Sequence, residues 1–235
     1  ADVTVAEAQT FIYDSRMLNP AQVRIRRIKN GIPVAALPAT RTADVVRLLN
    51  CAYPQFVAGA NVINTSFDNV GSAFSPTVTV LNAGRIESTH GDFEYYVEGV
   101  TPSVARILEA IDRERVAVAA GLGFKSISAR EWLYVAYDAH GSNLYEAMKS
   151  NRGYQGIKSP LTINHPFITE DVPMTLVPIA SLGEMVGVPT PTIRTVIHLA
   201  SLLHEVDYMR EGRTAERLGI AGWSAEKLKA FVMGE

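Results

Sequence analysis

The chain has 235 residues, 47% of them hydrophobic and 20% charged, enough apolar material to bury one large core with a small appendage. A net charge of -2 and a pI near 6.3 give no broad basic field, and the short run Arg24, Arg26, Arg27 and Lys29 cannot neutralise a series of phosphates, so nucleic acid is not an expected partner. The single cysteine, Cys51, excludes an intramolecular disulfide and a thiolate metal cluster; with no long apolar run and no leader pattern, a cytoplasmic location is expected.

The chain opens on Ala1 rather than Met and enters the β-branched stretch Val3 to Val5 within a few residues, which reads as a piece trimmed from something longer. Residues 1–40 have strand character. Val23, Ile25 and Ile28 are separated by basic residues, Asn30-Gly31 supplies the residues of a tight hairpin turn, and Ile32 to Leu37 forms the return strand. Pro33 lacks a ladder donor, which puts that strand at a sheet edge. Two or three strands alone are marginal, so a larger sheet is expected to continue them.

Helical periodicity takes over at residue 41. Thr42 is the expected cap of a helix carrying Val45, Val46, Leu48 and Leu49. Thr101-Pro102 opens a helix whose apolar stripe, Val104, Ile107, Leu108, Ile111 and Val118, ends at Gly121 and Gly123. Ser128 to Glu131 has capping-box spacing, and Ser142 is the expected cap of a short helix reaching Met148. Pro173 and Pro178 divide Thr169 to Val186 into two short helices or one kinked helix, with a break near Val177. Thr190-Pro191 starts the longest helix, expected to stop at Gly212, and Ser224 caps a last one over Ala225 to Val232. The sum is six or seven helices behind a small β appendage.

Gly121-Leu122-Gly123 follows a helix and lacks a third glycine, so it reads as a helix terminus and not as a dinucleotide cradle. His198 and His204 are six apart and do not share a helical face, so no metal site is expected. Polar residues concentrate in Asn64 to Asn69, Phe74-Ser75-Pro76 and Leu81 to Glu87, read as loops that either fix a polar ligand or satisfy their own backbone. Asn164 to Asp171 is a second cluster. Either Thr169 caps a helix with Glu170 and Asp171 in its first turn, or Asp171 partners a functional group, and composition leaves both open.

Five segments in order, Leu81-Asn82-Ala83-Gly84-Arg85-Ile86-Glu87, Tyr96 to Ala105, Glu170-Asp171-Val172-Pro173, Ser181-Leu182-Gly183 and Gly187 to Pro191, strongly resemble the octopine/nopaline (opine) dehydrogenase family, over about Val5 to Leu218. The resemblance implies a mainly α fold, a helical domain like the C-terminal domain of 6-phosphogluconate dehydrogenase. Residues 1–40 would then be the terminal strands and crossover of a Rossmann domain, and 41–235 the substrate domain. It implies NAD or NADP, bound mainly by a nucleotide-binding domain in the same or a separate chain, and reductive condensation of a 2-oxo acid with an amino acid; a homodimer is admitted.

The resemblance also implies a histidine paired with an aspartate as proton donor and an arginine gripping the oxo-acid carboxylate. Here the histidine position falls at Ser75 and the arginine position at Pro166, while Asp171 remains. Serine has no pKa near neutrality and proline no charge. The expected site therefore comprises Asp171 as orienting carboxylate, His165 as replacement acid and Ser75 at the family acid position. Asn69, Asn82, Arg85 and Glu87 are expected around the substrate, with the segments Asn69 to Ser75, Asn82 to Glu87 and His165 to Asp171 converging. By itself this chain is expected to be inactive. The alternative is a non-catalytic helical ligand-binding or oligomerisation module derived from the same family.

Overall fold

The computed structural model describes residues 3–235; Ala1, part of the reading of the N-terminus, lies outside them. Five strands form the first layer: β1 (Val5–Ala8), β2 (Tyr13–Asn19), β3 (Gln22–Ile28), β4 (Ile32–Leu37) and β5 (Phe56–Ala58). β1 runs antiparallel to β4 and β4 parallel to β5, in the order β1-β4-β5, while β2 and β3 make a separate antiparallel ribbon. Asn30-Gly31 therefore closes no hairpin. It passes the chain from ribbon to sheet, because β4 is buried at Ile32, Val34, Ala35 and Ala36 and belongs inside, whereas Val23 and Ile25 of β3 are exposed. Pro33 sits in the central strand and not at an edge. Its missing N–H falls at the end of the β1–β4 ladder, where Gln9 N donates to the Pro33 carbonyl at 2.9 Å.

Helix α1 (Thr42–Asn50) packs on β4 and β5, making a β4-α1-β5 crossover between parallel strands that sequence reasoning did not see. Thr42 does not cap it. Its hydroxyl is buried and accepts from Ala36 N at 3.0 Å, tying the helix to the sheet.

The helical layer comprises α2 (Val62–Phe67), α3 (Val70–Leu81), α4 (Ala83–Thr89), α5 (Pro102–Gly121), α6 (Ala129–Tyr137), α7 (Leu144–Ser150), α8 (Pro166–Thr169), α9 (Val177–Met185), α10 (Pro191–His204), α11 (Tyr208–Glu211) and α12 (Ala225–Met233). The number exceeds the expectation because the polar stretches read as loops are α2, α3 and α4. Burial decides this: every residue of α3 from Ala73 to Val80 is buried, so the helix is held by packing on all sides despite Pro76 within it.

The expected starts of α5, α6 and α12 hold. The hydroxyls of Thr101, Ser128 and Ser224 accept from Val104 N, Glu131 N and Lys227 N, and Glu131 completes the capping box. Three other boundaries move. Asn143, not Ser142, caps α7; His165, not Thr169, caps α8; and α10 stops at His204, where Glu205 takes a left-handed φ of 54°, eight residues before Gly212. The break expected near Val177 is a π-turn over Val172–Leu176 that runs into α9 and absorbs Pro173. No helix among the described residues is long and apolar enough to cross a membrane.

Candidate functional site

A cleft of about 720 Å³ separates the β layer from the helices. Its helical wall is aromatic: Tyr96 stacks on Tyr154 with centroids 4.1 Å apart, and Trp132 meets Tyr137 edge to face at 5.3 Å. The opposite wall is the segment Thr10 to Ser15 with Lys29 behind it. Apolar walls with a few polar groups are the usual form of a small-molecule site.

Charged hydrogen bonds hold the two walls in register. Arg26 donates to the carbonyls of Gln155 and Gly156 at 2.8 and 3.0 Å, and Arg27 to that of Tyr137 at 3.1 Å. From the sheet, the Glu7 carboxylate accepts from Thr65 and Ser66, and the Gln9 amide donates to the Asp68 carbonyl at 2.8 Å.

Lys29, just past the end of β3, is buried while Arg24 within β3 is exposed, so the local run of basic residues gave no signal that it differs. Its Nζ donates to the Phe11 carbonyl at 2.7 Å and, at 3.4 Å, to Thr10 Oγ1. Burial lowers its pKa, and the charge of Asp14, also on the cleft, acts in the opposite sense.

Two of the three expected segments meet. Asp171, at the start of the π-turn, packs against α3, where the Ser72 hydroxyl is its hydrogen-bonding neighbour and Asn69 Nδ2 in turn donates to Ser72 Oγ at 3.1 Å. Burial raises the Asp171 carboxyl to about 7; Ser72 lowers it and the neighbouring charge of Glu170 raises it further. Ser72 was not singled out from sequence, although it lies one helical turn before Ser75. Ser75 itself is buried. Its hydroxyl donates to the Gly71 carbonyl at 2.9 Å and its carbonyl accepts from Tyr95 at 2.8 Å, so it serves the helix.

His165 caps α8 through Nδ1, which accepts from Phe167 N at 3.3 Å, and its ring packs edge to face on Phe167 at 4.4 Å. Pro166 fills the first turn of α8. Among these segments the cleft is lined by Gly71 and Phe167, and neither Ser75 nor Asp171 borders it directly.

The third segment stays apart. Asn82 Nδ2 donates to the carbonyls of Val78 and Gly99, joining the end of α3 to a neighbouring turn. Arg85 pairs with Glu98 at 2.6 Å and lies over the Phe93 ring at 4.2 Å, and Glu87 is exposed; none of the three lines the cleft. They do not join the other two segments at this cleft. Placing them in loops hid the fact that α4 turns these side chains to the surface.

A buried charged cluster was also missed. Arg115, fully buried on α5, donates to Asp112 Oδ1, the carbonyls of Phe67 and Ile127, and Ser126 Oγ, with Asp68 at 3.5 Å. The signal was available, since Asp112 and Arg115 sit three apart on the stripe otherwise filled by Leu108, Ile111 and Val118.

A mainly helical domain bearing a strand fragment, with an aromatic cleft at their junction, is the class of molecule defined so far. Residues 58–204 match the family described as NAD/NADP octopine/nopaline dehydrogenase, alpha-helical domain. The chain is 38% identical over 231 residues to an opine dehydrogenase of Arthrobacter sp. (strain 1C), covering 98% of this chain and 64% of that protein. It is 27% identical to Protein ocs of Agrobacterium tumefaciens (strain Ach5), over 100% of this chain and 65% of that one. Its fold matches octopine dehydrogenase solved with NADH and L-arginine at a TM-score of 0.76 and 19% identity, and yersinopine dehydrogenase with NADP+ at 0.68 and 13%. Each match covers 99% of this chain and 65% of the other. The chain belongs to the octopine/nopaline dehydrogenase family, and it spans about two thirds of the length of these relatives.

Proposed function

We propose that this chain is the substrate side of an NAD(P)-dependent opine-dehydrogenase-type enzyme, joining a 2-oxo acid to an amino acid. The observation that carries this reading is Asp171, a half-buried carboxyl held against α3 one turn from Ser75, the position expected for the family acid. The β4-α1-β5 crossover and the start of the family match at residue 58 support taking the N-terminal β layer, α1 included, as the end of a Rossmann domain. A helical domain of the 6-phosphogluconate dehydrogenase C-terminal type after that point goes with this reading as an expectation. A homodimer and a cytoplasmic location accompany this reading as expectations.

The strand-to-helix turn within the β layer does not fit the diphosphate of a dinucleotide. The turn from β4 into α1, Pro38 to Arg41, has no glycine to let backbone amides approach phosphate. The cofactor would be held by the nucleotide-binding part and would supply hydride; this chain's share is to bind the two acids, exclude water and move a proton. The amine attacks the carbonyl carbon, and the resulting carbinolamine loses its hydroxyl as water only if that oxygen receives a proton. Serine at position 75 cannot deliver it. A carboxyl titrating near 7 can hold a proton at neutral pH, so Asp171, set behind the cleft wall that Gly71 and Phe167 form, is the proposed proton store, acting through an intervening group, with His165 the second candidate.

The test is to join this chain to the nucleotide-binding third of the Arthrobacter relative and follow NADH and NADPH oxidation with pyruvate-type oxo acids plus amino acids. Ser75→His with Pro166→Arg is expected to raise the rate by about 10²-fold, the scale of one well-placed general acid. His165→Ala abolishes turnover only if His165 is the acid, and Asp171→Asn does so if the proton resides there. No turnover before or after the double substitution would refute the reaction class.

A further inference from the structure

Among the described residues, Lys29 is the one basic residue that lines the cleft. We propose that Lys29 is the carboxylate anchor of this cleft, taking the acid group of a ligand whose apolar part lies on the aromatic wall. The ligand class rests on the reading above, but the binding site does not.

Lys29 has the chemistry of a charge awaiting a partner. Its side chain is 6% exposed, yet both protein acceptors are neutral, a carbonyl at 2.7 Å and a hydroxyl at the long distance of 3.4 Å. An ammonium has three donors, and among the described residues the third meets no acceptor. Asp14, on the same wall, favours the charge from a distance but forms no ion pair with it within 4.0 Å. A buried cation in this condition is costly unless a ligand completes its shell, and a carboxylate supplies both charge and acceptors. Trp132, Tyr137 and Tyr154 on the other wall offer apolar surface within the same cleft. That favours an acid with an aromatic or large aliphatic side chain over a small one.

Trp132 lines the cleft and the chain has two tryptophans, so Trp223→Phe leaves one reporter at the site. Titrating that variant with 3-phenylpropionate is expected to quench it saturably, while phenethylamine, which has the ring but no carboxylate, does so far more weakly. Lys29→Met should weaken 3-phenylpropionate by about 10-fold or more and leave phenethylamine unchanged; Lys29→Arg should keep most of the affinity. Asp14→Asn removes the opposing charge and should tighten 3-phenylpropionate, a response that a merely structural lysine would not give. Pyruvate in place of 3-phenylpropionate distinguishes the oxo acid from the amino acid as the source of the carboxylate, and binding of either supports the anchor. A folded Lys29→Met that binds as before overturns it, as does a parent chain that binds no carboxylate. Should Lys29→Met fail to fold, unchanged carboxylate affinity in Asp14→Asn overturns it as well. None of these readouts needs turnover, so failure of the anchor and failure of the opine reaction are told apart.

Discussion

Arg115 spends every guanidinium N–H on Asp112, Ser126 and the carbonyls of Phe67 and Ile127, and the carboxylates it faces are themselves bonded by Ala129 N and Ile127 N. Asp171 is half-buried, but its neighbours are one serine hydroxyl and the like charge of Glu170, and no cation pairs with it among the described residues. Lys29 resembles Asp171 more than Arg115: buried, with its charge facing neutral acceptors. A charge whose partners are all supplied by the fold is committed to the fold. One left short is held at the expense of stability, and that is how groups kept for ligands or protons are recognised.

The largest expected effect tests the first half of this contrast. Arg115→Ala strands Asp112 and Asp68 without a cation and should cost about 3–5 kcal/mol in urea unfolding, with Arg115→Lys still clearly destabilised because an ammonium cannot fork across both sides. A loss below about 1 kcal/mol would show that the network is not what joins α2, α5 and α6. The second half is tested by pH. The folded-state pKa of Asp171, about 7, lies above its ordinary value of 3.8, so the folded state holds a proton that the unfolded chain has lost across that window. This group's contribution to stability is therefore full below the lower value, falls as pH rises through the window, and is flat above about 7. Asp171→Asn should remove that dependence, stabilising by roughly 1–3 kcal/mol at pH near 8 and by almost nothing near 4. Equal midpoint changes at both pH values would contradict the assignment.

Smaller effects sharpen the contrast. Ser128→Ala deletes a cap whose worth is local, about 1 kcal/mol in thermal or urea unfolding, and should leave carboxylate binding at the cleft untouched. Arg85→Ala, at an exposed pair with Glu98, should cost no more than about 0.5–1 kcal/mol and leave ligand binding unaltered. A large loss of binding in this variant would place Arg85 at the ligand after all.

The cap at Thr101 and the box at Ser128 were readable from sequence because a hydroxyl meeting an amide two or three residues on is a contact within one turn. Helices α2 to α4 were not, since Asn, Ser and Pro weaken a helix locally and only surrounding layers make α3 favourable. The same limit hid Lys29, which differs from Arg24 only in what the Thr10–Ser15 segment and the cleft do around it.

Sequence alone determined the family, since ordered motifs survive whatever the chain packs against. It also determined the alternation of a β appendage with a helical body. Only the tertiary structure decided that β4 is central, that Asp171 meets Ser72 and not Ser75's hydroxyl, and that Arg85 faces away while Lys29 faces in. Each of these depends on desolvation by residues distant in the chain, a quantity that no local pattern of side chains encodes.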